Sequence, residues 1–194
     1  MLQHGGETRL NVGFSPDYFL ISDKTSGLKP DFIANTIPGL KAGVIKRTKR
    51  ILMKIQTALS DEDILKCWKP LKELRPHLEE AGFLSLIKNM ISEGYQMAFI
   101  EGEDGYALSV IGFRYLQFTF NGKHFYIDDL STLPEARGLG HGSALLDHVI
   151  ALAKEKGYGY VTLDSGHQRF DAHRLYLNKG FTIASHHFSK KIAP

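Results

Sequence analysis

A glycine-rich turn between an apolar run and a periodic segment constrains this fold more than any other feature. The run is Phe125 to Leu133 and the periodic segment is Ala144 to Lys156, which predicts a strand, a turn and a helix. Three glycines in five positions let the main chain approach a ligand closely, and the free N–H groups at the helix start favour an anion. The residues expected to contact a pyrophosphate are Arg137, Gly138, Leu139, Gly140, His141, Gly142 and Ser143.

The same turn excludes two common phosphate-binding loops. It lacks the Gly-Lys-Ser/Thr ending of a P-loop, and Ser143 stands where a dinucleotide fingerprint needs its third glycine. Taken alone, the turn is as typical of a plain helix-capping loop as of an anion site. Arg137 favours the anion site, because a guanidinium presents a fixed fork of donors to phosphate oxygens.

A second pattern follows this helix. Tyr160 to Asp164 predicts a short strand, and the helical periodicity after Phe170 ends at Gly180, where a helix end favours a left-handed residue. We expect a final strand over Phe181 to Phe188.

Together these motifs resemble the Gcn5-related N-acetyltransferase (GNAT) superfamily over roughly Met53 to Lys191. Arg137-x-x-Gly140-x-Gly142 is similar to its coenzyme A pyrophosphate motif, and Leu175-Tyr176…Gly180-Phe181 is similar to its late signature. The strand Tyr-Ile-Asp-Asp-Leu at 126–130 also resembles a motif of polyamine acetyltransferases, and the segment 163–176 resembles small bacterial members. The resemblance implies acetyl-CoA (coenzyme A) as co-substrate and an amine as acceptor.

Acyl transfer from a thioester to an amine requires a proton to leave the amine and a proton to reach the leaving thiolate. Tyr176 matches the position of the superfamily's general acid, and a phenol with a pKa of about 10 is protonated at neutral pH. The resemblance therefore implies that Tyr176 donates a proton to the sulfur. Without the motif, a core tyrosine on a helix would be the simpler interpretation.

Asp128 and Asp129 are the candidate bases. Adjacent strand residues point to opposite faces, so only one can face the substrate cleft unless a bulge intervenes. Asp128 is preferred, because it matches the acidic base of the polyamine enzymes and shares its strand parity with Leu130 and Thr132. The alternative, two carboxylates that nearby turns satisfy, stays open.

The resemblance also implies that the main chain of Leu130, Ser131 and Thr132 binds the thioester carbonyl and the pantetheine arm. Three positions depart from the usual pattern. Thr132 replaces a valine and is also β-branched. His141 replaces an isoleucine and is expected to point to solvent, and Arg169 replaces an asparagine and either meets a phosphate or lies on the surface.

The remaining periodicity predicts a GNAT-like mixed α/β fold. Its sheet is mostly antiparallel, is flanked by helices and becomes parallel across the loop and its helix. A capping box at Ser60 and Asp63 starts a helical region that breaks near Pro76, resumes over 78–91 and ends at Gly94. The predicted strands before the glycine-rich turn are Ile51 to Ala58, Tyr95 to Ile100, Tyr106 to Phe120 and Phe125 to Leu133.

Residues 1–50 differ from the rest by their many turn signals and lack of a period. We predict a poorly ordered N-terminal extension over 1–50 and an N-acetyltransferase domain over 51–194, and the alternative is an arm for a partner or a neighbouring subunit. Residues 1–52 hold eight Lys and Arg against four Asp and Glu, whereas the rest holds 16 against 17. The domain itself is therefore not expected to bind nucleic acid.

Composition and spacing limit the other sites. The chain is 43% hydrophobic, has no apolar run long enough for a bilayer, and shows no signal-peptide pattern. One cysteine, Cys67, is predicted to pack beside Trp68, and these features indicate a cytoplasmic protein without disulfides. His173, His186 and His187 lack a Cys or carboxylate at ligand spacing, so no metal site is predicted.

The leading interpretation is an acetyl-CoA-dependent N-acetyltransferase that transfers the acetyl group directly to the primary amine of a small cationic molecule. The alternatives are transfer to a protein N-terminus or lysine, and a non-catalytic acyl-CoA-binding module. The acceptor's identity and the oligomeric state stay open; superfamily members are often dimers, which leaves a homodimer among the options. The charged residues around the helix break are compatible with a cationic acceptor: Glu73, Arg75, His77, Glu79 and Glu80.

Overall fold

A five-stranded sheet organises residues 53–192, the part of the chain that this computed structural model describes. The strands lie in the sheet in chain order, and each neighbouring pair is antiparallel except the last, which is parallel. The predicted mixed, mostly antiparallel fold is confirmed. The strands are β1 (Ile55–Thr57), β2 (Tyr95–Glu101), β3 (Ala107–Phe118), β4 (Gly122–Thr132) and β5 (Tyr160–Leu163).

Helices flank the sheet. They are α1 (Asp61–Lys66), α2 (Trp68–Leu74), α3 (Glu80–Ser92), α4 (His141–Glu155) and α5 (Phe170–Asn178), with a short 3₁₀ turn at Pro134–Ala136. The predicted capping box starts α1, because Ser60 Oγ accepts the Asp63 N–H at 3.1 Å and Asp63 Oδ2 accepts the Ser60 N–H at 3.1 Å. Cys67, between α1 and α2, is buried as predicted, and burial raises the pKa of its thiol to about 12.

Two apolar cores form on opposite faces of the sheet. Along β2, Tyr95, Met97 and Phe99 belong to the core under α1, α2 and α3. The alternate residues Ala98 and Ile100 belong to the core under α4. Because helices cover both faces, β2 is buried along most of its length, which fits an interior strand of a sheet with two covered faces.

Gly112 in β3 leaves room for a phenol from the neighbouring strand. A Cβ at this position would lie 1.9 Å from Tyr95 Oη. Met97, two residues after Tyr95, pairs with Gly112, so the Tyr95 ring runs diagonally over the glycine. A glycine here therefore gives the Tyr95 hydroxyl its path toward β4.

The final strand expected over Phe181 to Phe188 is not present in the described C-terminal segment, residues 181–192. Gly180 has the expected left-handed φ of 84°, and the Phe181 N–H donates to the Tyr176 carbonyl at 3.0 Å. Beyond that bond Ile183 and Phe188 are 82% and 90% exposed. The expectation was wrong: the segment does not pair with the free edge of β5, which stays the outermost strand among residues 53–192.

Two further expectations concern the N-terminal part. The first strand is Ile55–Thr57 and so is shorter than the expected Ile51 to Ala58; residues 51 and 52 lie outside the described part. The predicted extension, residues 1–50, also lies outside the described residues. No helix found between residues 53 and 192 has the length and apolar character needed to cross a membrane.

We expect Gly112→Ala to destabilise the fold by about 1–3 kcal/mol, because the added methyl group collides with a buried phenol. Urea unfolding followed by circular dichroism measures the loss. Gly82→Ala in α3 is the matched control: its Cβ would meet nothing within 4 Å, and alanine is favoured over glycine in a helix by about 1 kcal/mol. Equal stability of the two variants would contradict the role given to Gly112.

Candidate active site

A β-bulge brings two adjacent carboxylates to the same pocket. In the register of β3 and β4, Gly112 pairs with Asp129 and Phe113 pairs with Ile127, so Asp128 is an extra residue in β4. In a regular strand the two aspartates would point to opposite faces, and a bulge re-aims one of them. Both carboxylates line one pocket. The bulge therefore lets both aspartates face one pocket.

Asp129 is bound on both of its carboxylate oxygens. Oδ1 accepts from Arg75 Nε at 3.1 Å and from Arg75 Nη2 at 2.8 Å, and Oδ2 accepts from Tyr95 Oη at 3.0 Å. Asp129 is 8% exposed. Burial, and then the adjacent Asp129, raise the pKa of Tyr95, so its phenol stays a donor. Both carboxylate oxygens of Asp129 therefore have hydrogen-bond donors, which come from the end of α2 and from β2. These bonds fix β4 relative to α2 and β2.

Asp128 is bound less completely. Arg114 Nε donates to both of its carboxylate oxygens, at 3.1 and 3.0 Å, and the Asp128 side chain is 21% exposed. Burial raises the pKa of Asp128, although the Arg114 guanidinium opposes the rise. Because one N–H is shared between two oxygens, lone pairs of this carboxylate remain for a ligand.

The pocket that these aspartates line has a volume of about 400 Å³, which is within the usual range for small-molecule sites. One part of its lining is apolar and comes from α2, α3 and their connection. The other part is polar and comes from that connection and from β4. The apolar residues are Leu71, Leu78, Leu86, Ile87 and Met90, and the polar residues are Arg75, His77, Tyr126, Asp128 and Asp129.

The segment around the helix break near Pro76 contributes fewer acidic side chains to the pocket than expected. Arg75 and His77 line the pocket, whereas Glu73, Glu79 and Glu80 do not. The acidic groups of the site come instead from β4, where the bulge presents them.

The loop after β4 leaves the start of α4 open. Gly138 and Gly140 have φ angles of 77° and 88°, which favour glycine. Gly140 is the N-cap residue of α4, and no side chain of the described residues caps its first N–H groups. Gly142 lies in the first turn, where a Cβ would come 3.5 Å from Thr132 Oγ1. This geometry fits a polyanion, because the unpaired N–H groups of a helix start favour negative charge.

The side chains of the loop have mixed environments. Arg137 Nε donates to the Thr132 carbonyl at 3.2 Å, and its Nη2 pairs with Glu73 at 2.9 Å. Leu139 is exposed and Ser143 is half-buried.

His141 does not point to solvent as expected. It is buried and its Nδ1 has no hydrogen-bond partner among the described residues. The expectation was wrong because the first turn of α4 is covered at this residue, so the ring occupies interior space. Burial lowers the pKa of His141, which keeps the ring neutral at neutral pH.

A pair of hydroxyl groups fixes the end of β4. Ser109 Oγ donates to the Ser131 carbonyl at 2.9 Å and lies 2.8 Å from Thr132 Oγ1. Because the single proton of Ser109 Oγ is engaged, Thr132 Oγ1 is the donor of the second bond. These bonds hold the stretch from Leu130 to Thr132 against β3, immediately before the loop.

Tyr176 lies on α5 and does not line the carboxylate pocket. It packs against the core under α4, and its ring centre is 5.9 Å from that of Phe181. Burial raises the pKa of Tyr176, although Arg169, the N-cap residue of α5, opposes the rise. The phenol is therefore protonated at neutral pH.

Sequence reasoning missed three residues of this site. Tyr95 and Arg114 reach the aspartates because they sit opposite each other in the register of β2 and β3, which no local pattern reveals. Ser109 had a weak signal, since it is a polar residue in the apolar half of a predicted strand.

The histidines form no metal site in the part of the chain that is described, where no group of three or more His, Cys, Asp or Glu residues could hold an ion. His187 Nδ1 instead lies 3.1 Å from Asp164 Oδ2, which also accepts from the Tyr126 hydroxyl.

Known proteins share this sequence pattern. The model of the Acetyltransferase (GNAT) family matches residues 62–181. The uncharacterized N-acetyltransferase YhdJ of Bacillus subtilis (strain 168) is 32% identical over 142 residues, which cover 73% of this chain and 100% of that protein.

Solved structures share the fold. An acetyltransferase of Trypanosoma brucei is similar with a TM-score of 0.59 at 22% identity, over 71% of this chain and 99% of that chain. A "predicted acetyltransferase" of Clostridium acetobutylicum, solved with acetyl-CoA, has a TM-score of 0.56 at 17% identity, over 72% and 96% of the two chains. These identities support the fold alone. The family match and the similarity to YhdJ show that this chain belongs to the GNAT family of acetyltransferases.

Proposed function

We propose that this chain is an acetyl-CoA-dependent N-acetyltransferase that transfers the acetyl group directly to the primary amine of a small cationic molecule. The observation that carries the proposal is the bulge in β4, by which Asp128 and Asp129 line one pocket. The glycine-rich loop follows the same strand in the sequence. A transfer between two bound substrates requires an acceptor site next to a donor site. The pocket at β4 and the loop that follows the same strand support such a pair of sites.

The loop is the proposed donor site. The N–H groups at the start of α4 and the positive end of its dipole favour a pyrophosphate. Arg137 can exchange Glu73 for a phosphate, since their pair is exposed and such pairs contribute about 1 kcal/mol or less. The fold likeness to the Clostridium protein solved with acetyl-CoA supports this donor. When bound, acetyl-CoA supplies a thioester carbonyl that an amine can attack. The residues that would hold it are Leu130 to Thr132, residues 137–143 and Arg169.

Asp128 is the proposed base. Its carboxylate has lone pairs left after the contact with Arg114, and its pKa is raised by burial. It first holds the cationic amine and then accepts the proton that the nitrogen must lose before it can attack. Asp129 has a positioning role in this proposal, because its hydrogen bonds to Arg75 and Tyr95 hold the bulge, and with it Asp128, in place.

Tyr176 is the proposed acid. Its phenol is protonated at neutral pH. As the bond from nitrogen to the acetyl carbon forms and the bond from that carbon to sulfur breaks, Tyr176 Oη gives its proton to the thiolate.

The proposal predicts that the purified chain releases thiol from acetyl-CoA only when a primary amine is added. A thiol-reactive dye measures the release, and mass spectrometry must find an equal amount of acetylated amine. Calorimetric binding of acetyl-CoA without thiol release for any amine or peptide would instead indicate a non-catalytic module. Turnover of peptides alone would show that the acceptor is a protein.

Asp128→Asn should lower kcat by about 100-fold or more, because an amide cannot take the proton. The wild-type rate should fall as the pH drops through the pKa of Asp128, since the protonated carboxyl is no base. Burial raises that pKa above the ordinary value of 3.8, and the variant should lose this acid limb. Asp61→Asn, which removes an exposed pair with Lys88, is the control. A wild-type rate in Asp128→Asn would disprove the base role.

Tyr176→Phe should lower kcat by about 100-fold while acetyl-CoA binding, measured by calorimetry, stays unchanged. The control is Tyr158→Phe, because Tyr158 is half-buried and its ring packs on Tyr115 and Phe125. If Tyr176→Phe were as fast as the wild type, the thiolate would take its proton from elsewhere.

A further inference from the structure

We infer that the carboxylate pocket accepts an amine with one positive charge on an apolar body and discriminates against polyamines. This inference rests on the proposed function and specifies its acceptor.

The charges of the pocket are already balanced. Arg75 lies 2.8 Å from Asp129, and Arg114 lies 3.0 Å from Asp128. Both aspartates among the described lining residues thus have a guanidinium partner. A second ammonium group would find no spare carboxylate in this lining and would be repelled by the two arginines. It would also lose its hydration without compensation.

One ammonium group has a place at Asp128. Asp129 is closed to a ligand, because both of its oxygens accept from protein donors and it is 8% exposed. Asp128 accepts from a single N–H and is more open. Since a carboxylate has about four acceptor sites, Asp128 can bind one ammonium group without losing Arg114.

The rest of the lining favours a hydrocarbon body. Five apolar side chains from α2, α3 and their connection line the pocket, and one of them, Leu86, is 40% exposed. A ligand that covers this surface gains about fourfold in affinity for each methylene group it buries, which corresponds to about 0.8 kcal/mol. An amine with an apolar body therefore gains on both parts of the lining. A polyamine gains only at Asp128, because its second ammonium group would have to lie against the apolar part.

The acidic strand motif alone would have suggested the opposite. Two adjacent aspartates in β4 are similar to the motif of polyamine acetyltransferases, and unpaired they would attract several positive charges. Arg75 and Arg114 lie outside that motif, at the end of α2 and in β3. Their contacts neutralise the pair and change the acceptor chemistry that the motif suggests.

Hexylamine and 1,5-diaminopentane provide a matched test, because they have the same chain length and differ by a terminal methyl against a terminal ammonium group. We expect kcat/KM for acetylation of hexylamine to exceed that for the diamine by at least about tenfold. Butylamine is two methylene groups shorter, and its kcat/KM should be about 15-fold lower than that of hexylamine. Equal or faster acetylation of the diamine, or no dependence on chain length, would overturn the inference.

Leu86→Glu should invert this preference, since it adds a carboxylate to the apolar lining at an exposed position. Ile91→Glu is the matched control, because Ile91 lies on the same helix, is 39% exposed against 40% for Leu86, and does not line the pocket. It should retain the wild-type preference. The same preference in both variants would place the amine elsewhere and overturn the inference.

Failure of the proposed function can be told apart from failure of this inference. If the chain acetylates no amine, the proposed function is wrong, and calorimetric binding of hexylamine and 1,5-diaminopentane to the chain with coenzyme A still compares the two ligands. Tighter binding of hexylamine would uphold the inference. Equal binding, tighter binding of the diamine or no binding of either would reject it.

Discussion

The contact between Asp129 and Arg75 is the interaction on which the carboxylate pocket of this structure depends. It joins the end of α2 to the middle of β4, and Tyr95 binds the same carboxylate from β2. Because the carboxylate is buried, removal of either donor would leave part of a charge without compensation, which is costly in a protein interior. The pocket keeps its shape because three separate segments meet on one carboxylate.

The bulge gives the two adjacent aspartates different tasks. The extra residue turns Asp128 toward the pocket, while Asp129 keeps its bonds to the protein. Gly112, opposite Asp129 in the register, supports the arrangement because it leaves space for the Tyr95 ring. One carboxylate thus keeps free acceptor sites and the other is fully bound by the protein, although the sequence places them side by side.

Local patterns were sufficient to predict most of the helices and strands and insufficient to predict the pocket. The capping box at Ser60 and the left-handed Gly180 depend on neighbours within a few residues, and both are confirmed. The resemblance to the GNAT family, which rests on motifs that are equally local, is confirmed, whereas the similarity to polyamine acetyltransferases stays a prediction. Arg75, Tyr95 and Arg114 reach the aspartates across long separations that only strand register and helix packing determine. The prediction of a final strand was wrong, because strand formation also depends on pairing with a segment that is distant in the sequence. The roles of the site residues stay predictions.

The hydroxyl pair at the end of β4 links two positions that are far apart in the chain. Ser109 and Thr132 hydrogen-bond each other next to the glycine-rich loop, and Ser109 is fully buried. A buried polar group that loses its partner costs about 1–3 kcal/mol, whereas two apolar groups of similar shape would cost little. Among homologous sequences, a serine at position 109 should therefore occur together with a threonine at position 132. Where one of these two positions carries an apolar residue, the other should carry one as well.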